Sequence, residues 1–203
     1  MIREERIFIP SDNLIIEALF HRSSGKKAAI LCHPHPLMGG SMHNNVVEAS
    51  IRAWAAENIA TARFNFRGVG ASSGAYDEGR GEARDVISVY RFLQQQGYSN
   101  IYFAGYSFGA WVGSKIIQAD NKIFDYAVFI SPPDNYFVFD YGRLINKVDL
   151  IICGNADAFC DAAKIYQKSK SIGAKLEIID GADHFYWGKE AEIEKIMRLS
   201  VGK

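Results

Sequence analysis

The feature that most constrains this chain is a regular alternation of short apolar runs with segments of helical periodicity. Bounded by turn residues and too short for helices, the apolar runs predict buried strands at residues 28–32, 60–66, 101–104, 127–130, 150–153 and 176–179. Between most of them, apolar residues recur at helical spacing, around residues 47–55, 86–93 and 193–200. This alternation predicts an α/β fold with a mostly parallel sheet and helices on both faces.

The N-terminal residues depart from this alternation. The runs RIFIP and LIIEALF are separated by Ser11, Asp12 and Asn13, which predicts an antiparallel hairpin. No linker, low-complexity segment or internal repeat interrupts the 203 residues. We therefore expect a single domain over residues 1–203.

The charge balance and the cysteine content limit which binding partners and which cellular compartment we expect. Lysine plus arginine and aspartate plus glutamate number 23 each, so no basic face for nucleic acid or anionic lipid is implied. The charged start MIREERIFIP is unlike a signal peptide, and no apolar run reaches the roughly 18 residues that span a bilayer. Cys32, Cys153 and Cys160 form no CxxC pair and are odd in number, which favours reduced thiols. We expect a cytoplasmic protein with a small or neutral partner.

The stretch GYSFGA places Ser107 between two glycines, directly after one predicted strand and before an apolar helix that begins near Phe108. This context fits the G-x-S-x-G nucleophile elbow, in which the serine hydroxyl stands at the end of the sheet. A side chain at Gly105 or Gly109 would collide with its neighbours in so tight a turn. The plain alternative is a serine that caps a helix.

A serine nucleophile needs a base, and the base needs an orienting acid. His184 follows the last predicted strand, at the same sheet edge as Ser107, and it is the histidine that lies downstream of the serine. Asp157 follows the preceding strand and gives the chain order Ser, Asp, His. Asp134, which also follows a strand at this edge, remains the competing acid.

Two other aspartates are poorly placed for the acid role. Asp149 stands at the far end of its strand, well over roughly 15 Å from the base. Asp183 adjoins His184, and consecutive side chains usually diverge.

The developing negative oxygen of a tetrahedral intermediate needs backbone N–H donors. One is expected at Phe108, the residue after the nucleophile, and the second in the loop HPHPLMGG. Pro34 and Pro36 have no N–H, which leaves His35, favoured by position, or Leu37.

The histidines His33, His35 and His43 raise the alternative of a metal site in this loop. Alternating residues of an extended segment point to opposite sides, and no cysteine or carboxylate completes a zinc spacing. We therefore expect no metal and no cofactor.

Several motifs together resemble one known family: LCHPHPLMGGSMHNNVV, RFNFRGVGASSGAYDEGRGEARD, GYSFGA, GNADAF and GADHFYWG. They are similar to small bacterial α/β-hydrolase superfamily proteins with an HPHP loop, related to dienelactone hydrolases and serine esterases. The resemblance implies an α/β-hydrolase fold with Ser107 as nucleophile, Asp157 as acid and His184 as base. Dienelactone hydrolases carry a cysteine nucleophile, so their lactone substrate does not transfer to this chain. Arg67, in the segment FRGVGASSG, is expected to tie loops together or to contact an acidic substrate.

The function expected from these residues is hydrolysis of small carboxylic esters or thioesters through an acyl-enzyme. A small-peptide or amide hydrolase would use the same three residues, and a binding protein without turnover would retain the fold alone. The segment 131–146 is too short for a multi-helix cap. We expect an open pocket in which the aromatic residues of this segment, Tyr136, Phe137, Phe139 and Tyr141, line a wall or pack against the core.

Overall fold

The computed structural model describes residues 2–201, and it confirms the α/β fold with a central sheet of eight strands. The strands are β1 (Glu5–Ser11), β2 (Leu14–His21), β3 (Lys27–Cys32), β4 (Ala60–Phe64), β5 (Asn100–Tyr106), β6 (Tyr126–Ile130), β7 (Leu150–Gly154) and β8 (Lys175–Ile179). Their order across the sheet is β1-β2-β4-β3-β5-β6-β7-β8. The six strands β3 to β8 run parallel, so their carboxyl ends meet at one edge.

The predicted N-terminal hairpin is formed by β1 and β2, and β2 then pairs antiparallel with β4. Strand β4 ends at Phe64, two residues before the end of the apolar run from which it was predicted. The difference has a local cause, because the backbone N–H of Phe66 donates to the Nε2 atom of His33 (3.0 Å) instead of to a neighbouring strand.

Within the described residues, five α-helices cover the sheet: α1 (Asn45–Ala56), α2 (Arg80–Gln95), α3 (Phe108–Ala119), α4 (Ala162–Ile172) and α5 (Glu190–Val201). Helices α2, α3 and α4 pack in the larger apolar core, on one face of the sheet. Helices α1 and α5 pack in the smaller core, on the other face. The expectation of helices on both faces is therefore confirmed.

Helix α4 was not predicted from the sequence. It buries only Ile165, Ser169 and Ile172, so its apolar stripe is narrow and its other positions are polar. Its ends are nevertheless well marked, because the Asp161 carboxylate accepts from the N–H groups of the first turn and Gly173 closes the helix at φ +76°.

The connection from β6 to β7 carries only a short 3₁₀ turn, Tyr141–Leu144, consistent with a minimal cap. Within it Phe139 is buried, whereas Tyr136 is 66% exposed at the edge of a pocket. Among residues 2–201, no helix has both the length and the apolar composition needed to cross a membrane.

Candidate active site

Ser107 occupies a confined turn between β5 and α3. Its backbone lies at φ +54° and ψ −116°, a conformation that is costly for a residue with a side chain, and its N–H donates to the Ile130 carbonyl at 2.9 Å. A Cβ at Gly105 would lie 2.5 Å from the carbonyl carbon of Gly109, and one at Gly109 would lie 2.6 Å from the Cys32 carbonyl oxygen. Glycine is therefore required at both positions by close approach of the backbone.

His184 lies in the loop after β8, and its side chain reaches the serine. Its Nε2 atom is 2.9 Å from the Ser107 Oγ, and only 6% of the residue is exposed. The Tyr106 hydroxyl donates to the backbone carbonyl of His184 at 2.5 Å. This bond ties the histidine loop to the end of β5, beside the serine.

Asp157 lies on the opposite side of the imidazole ring. Its carboxylate oxygens are 2.9 and 3.0 Å from the His184 Nδ1 atom, and the N–H groups of Phe159 and Cys160 also donate to Oδ1. Burial by itself raises the pKa of Asp157, but the bonds from His184 and Ser131 outweigh it and lower the pKa. The ionised carboxylate accepts hydrogen bonds only, so Nδ1 donates and Nε2 is left to accept a hydrogen bond from the Ser107 hydroxyl.

The other aspartates considered from the sequence lie elsewhere. Asp134 faces Tyr141 at 3.5 Å, and within residues 2–201 its buried Oδ1 has no hydrogen-bond partner. Burial raises the pKa of Asp134. Asp149 accepts from the N–H of Ala127 at the far end of the sheet, and Asp183 accepts from the N–H groups of the turn that follows His184.

Of the two predicted oxyanion donors, His35 lines the pocket beside Ser107, and Phe108 directly follows Ser107 as the first residue of α3. Within residues 2–201, neither the Phe108 N–H nor the His35 N–H has a hydrogen-bond acceptor. The N–H of Leu37, by contrast, donates to the Nδ1 atom of His35 at 3.2 Å. This geometry favours His35 over Leu37 as the second free donor.

The other two histidines of this region, His33 and His43, contact neighbouring protein groups. His33 is fully buried, its Nδ1 atom donates to the Pro34 carbonyl (2.7 Å) and its Nε2 accepts from Phe66, so neither ring nitrogen is free for an ion. His43 lies 3.9 Å from a Glu48 carboxylate oxygen at the surface.

Arg67 is buried and ties the loop after β4 to helix α2. Its guanidinium forms two bonds to the Asp85 carboxylate, at 2.8 and 3.1 Å, and the Arg67 N–H also donates to that carboxylate. Arg67 therefore has the loop-tying arrangement considered from the sequence.

A cavity of about 560 Å³ opens directly beside Ser107. Aromatic rings form much of its wall, and no aspartate, glutamate, lysine or arginine in the described part of the chain lines it. Burial lowers the pKa of His35, which keeps that ring neutral near pH 7. The cavity therefore suits an uncharged group next to the serine.

Sequence reasoning missed two side chains that contact this arrangement. The Ser131 hydroxyl donates to Asp157 Oδ2 at 2.5 Å, and the Tyr186 hydroxyl lies 2.6 Å from the Ser131 oxygen. Ser131 directly follows the predicted strand at 127–130, so the sequence could have placed it at the same sheet edge as Ser107. Its contact with Asp157 could not be predicted from the sequence.

No protein-family model matches the chain. An uncharacterised protein of Rickettsia prowazekii is 31% identical over 195 residues, which cover 89% of this chain and 81% of that protein. An α/β serine hydrolase homologue from Coxiella burnetii is 30% identical with a TM-score of 0.87, covering 98% of this chain and 97% of that one.

The chain belongs to the α/β-hydrolase superfamily. A serine hydrolase without a lid from Xanthomonas campestris also superposes with a TM-score of 0.87, at 26% identity over 98% of this chain and 94% of that one. The likeness of this α/β-hydrolase to serine hydrolases over nearly its whole length supports hydrolase activity.

Proposed function

We propose that this α/β-hydrolase cleaves small, uncharged carboxylic esters or thioesters through an acyl-enzyme on Ser107. The observation that carries the proposal is the continuous hydrogen-bonded series from Asp157 through His184 to the Ser107 hydroxyl. Ser107 and His184 line a cavity whose wall has no acidic side chain, lysine or arginine from residues 2–201. Such a series activates an alcohol that is otherwise a weak nucleophile at neutral pH.

In the first half of the reaction, the Ser107 oxygen attacks the acyl carbon and its proton passes to the His184 Nε2 atom. The carbonyl oxygen becomes negative, and the N–H groups of Phe108 and His35 are the donors that stabilise it. The imidazolium then gives its proton to the departing oxygen or sulfur as the bond to the acyl carbon breaks. Asp157 stabilises the imidazolium and holds Nδ1 as the donor.

In the second half, a water molecule takes the place of the departed alcohol or thiol. His184 accepts a proton from this water as its oxygen attacks the acyl carbon, and the same N–H donors stabilise the second tetrahedral intermediate. The proton returns to the Ser107 oxygen when the acyl bond breaks. The products are a carboxylic acid and the free enzyme.

The open cavity supports small substrates over long acyl chains. The connection between β6 and β7 offers no helical cap, and the structurally similar protein from Xanthomonas campestris is itself described as lacking a lid. The aromatic wall can bind a short acyl group by apolar contact, while the mouth stays open to water.

Activity-based labelling with a fluorophosphonate tests the proposal, because the probe bonds covalently to an activated serine. We expect labelling of the wild-type protein and none of Ser107→Ala. Substrates that share one acyl group and differ in the leaving group (an alcohol, a thiol or an amine) then separate the reaction classes. Absence of labelling would indicate a binding protein, and highest kcat/KM on the amide would indicate an amide hydrolase.

A further inference from the structure

Ser131 is the first residue after β6, and it bonds to the acid on the side away from the nucleophile. Its hydroxyl oxygen is 2.5 Å from Asp157 Oδ2, and its N–H donates to the Ile152 carbonyl at 2.7 Å, which fixes its backbone against β7. The residue is fully buried. Its φ of +44° lies in the left-handed region, an uncommon conformation for serine that neighbouring contacts must hold in place.

Tyr186 continues the series of hydroxyl groups beyond Ser131. Its ring is fully buried, and its hydroxyl oxygen lies 2.6 Å from the Ser131 oxygen. Tyr186 is also left-handed, at φ +56°, and its N–H donates to the Asp183 carboxylate at 3.2 Å. Ser131 and Tyr186 thus both have a left-handed backbone, and their hydroxyl groups are in contact next to Asp157.

The directions of these bonds follow from the charge on Asp157. An ionised carboxylate only accepts, so the single hydroxyl proton of Ser131 is donated to Oδ2. The Ser131 oxygen then accepts from the Tyr186 hydroxyl. Burial raises the pKa of Tyr186, which keeps that proton in place at neutral pH.

We propose that Ser131 and Tyr186 are positioning residues that hold the Asp157 carboxylate towards His184 and moderate its charge. This inference rests on the proposed function, since it assigns a task to the acid of that site. The bond to Oδ2 fixes the carboxylate plane, so that both oxygens stay within 3.0 Å of the imidazole Nδ1. It also draws part of the negative charge away from His184, which favours the neutral imidazole that can accept the serine proton.

Other titratable groups surround the Asp157–His184 pair, and any shift in pH dependence must be separated from them. They come from β5, the β6–β7 connection, β7, the loop before α4 and the loop after β8: Tyr106, Asp134, Cys153, Cys160, Asp183 and Tyr186. A variant at Ser131 leaves every one of them in place. A pH shift in that variant therefore reports on the lost hydroxyl.

The test compares Ser131→Gly with the wild type, using the best ester of the substrate panel. Glycine accepts the left-handed backbone without strain, so this variant removes the hydroxyl while preserving the fold. We expect kcat to fall about tenfold with KM unchanged, because the variant loses one hydrogen bond to the charged carboxylate and no contact to substrate. We also expect the acidic limb of the kcat/KM profile to move to higher pH. Without the Ser131 hydroxyl, the full negative charge of Asp157 acts on His184 and favours the protonated imidazole.

Tyr186→Phe and Ser50→Ala complete the set. Tyr186→Phe removes only the outer hydroxyl, so we expect a smaller loss of kcat and a shift of the acidic limb in the same direction. Ser50 is an equally buried serine whose hydroxyl donates to the Val46 carbonyl within α1, away from the site. Ser50→Ala should leave kcat and the pH profile unchanged.

Three outcomes would overturn the inference. The first is a folded Ser131→Gly variant with the wild-type kcat and acidic limb. The second is a loss of kcat without movement of the acidic limb, because that would show a merely structural role. The third is an unchanged proton-uptake midpoint of the His184 ring in Ser131→Gly, measured by NMR titration without substrate. Because this last readout needs no turnover, failure of the inference is distinguishable from failure of the proposed function, which is shown by absence of fluorophosphonate labelling in the wild type.

Discussion

The Nε2 atom of His184 lies 2.9 Å from the Ser107 hydroxyl oxygen, although the two residues are 77 positions apart in the chain. The contact exists because β5 and β8 are parallel, so the loops that follow them leave from the same edge of the sheet. Strand β7 lies next to β8 and brings Asp157 to the other side of the same ring. Each proposed role can be tested by changing one of these side chains.

Replacement of the nucleophile gives the most direct prediction. Ser107→Ala is expected to remain folded and to lose on the order of 10⁴ to 10⁶ in kcat, since the attacking oxygen is gone while alanine still fits the turn. Ser114→Ala is a matched control, because the hydroxyl of that buried serine donates to the Trp111 carbonyl within α3. Turnover of p-nitrophenyl acetate by Ser107→Ala at the wild-type rate would remove Ser107 from the mechanism.

The identity of the acid is tested by two matched amide substitutions. Asp157→Asn should reduce kcat by about 10⁴, because the amide lacks the charge that stabilises the imidazolium and favours the wrong tautomer. Asp134→Asn should remain close to the wild type, since that carboxylate has no contact with His184. The reverse ranking of the two variants would place the acid after β6 instead of β7.

The open pocket predicts a preference for short acyl chains. With about 560 Å³ beside Ser107 and no helical cap, a long chain leaves much of its apolar surface in water. Each unburied CH₂ then forgoes about 0.8 kcal/mol of binding. We expect kcat/KM for p-nitrophenyl esters to level off or fall beyond short chains. A steady rise through long-chain esters, measured where they stay monomeric, would require a deep acyl tunnel.

Buried His33 predicts a stability that falls in mild acid. Burial lowers the pKa of His33 to about 4, below its usual value of 6.5, because the charged ring would lose hydration. The unfolded chain therefore takes up the proton first as the pH falls from 6.5 towards 4, and the free energy of unfolding decreases over this window. Titration of His33 therefore lowers the free energy of unfolding at pH 5 by about 2 kcal/mol relative to pH 7.

Urea denaturation from pH 7 to pH 4 measures this effect. His33→Gln removes the titrating ring but keeps a donor and an acceptor, so its free energy of unfolding should vary less with pH over the same window. A wild-type and a variant curve of equal slope would show that His33 is not the group responsible.

Most of the fold was predictable because the signals that define it are local. Each of the six strands predicted from apolar runs is present, since a short apolar run between turn residues is already a property of its own segment. The expectation that all six are buried is wrong for β8, which lies at the edge of the sheet and buries only Ile179. Helix α4 was missed because its three buried positions give too weak a period, and β4 is shorter than its apolar run because the His33 side chain takes the N–H of Phe66.

The sequence by itself also placed Ser107, His184 and Asp157 at one edge of the sheet, because chain order and strand direction decide the edge at which each loop leaves. It left open which aspartate contacts the imidazole and which N–H group of the HPHP segment is free. Those choices were decided by the tertiary structure, in which β7 adjoins β8 and the Leu37 N–H already donates to the His35 ring. The contacts of Ser131 and Tyr186 with the acid likewise depend on strand register and backbone conformation, and such distances between loops have no counterpart in local periodicity.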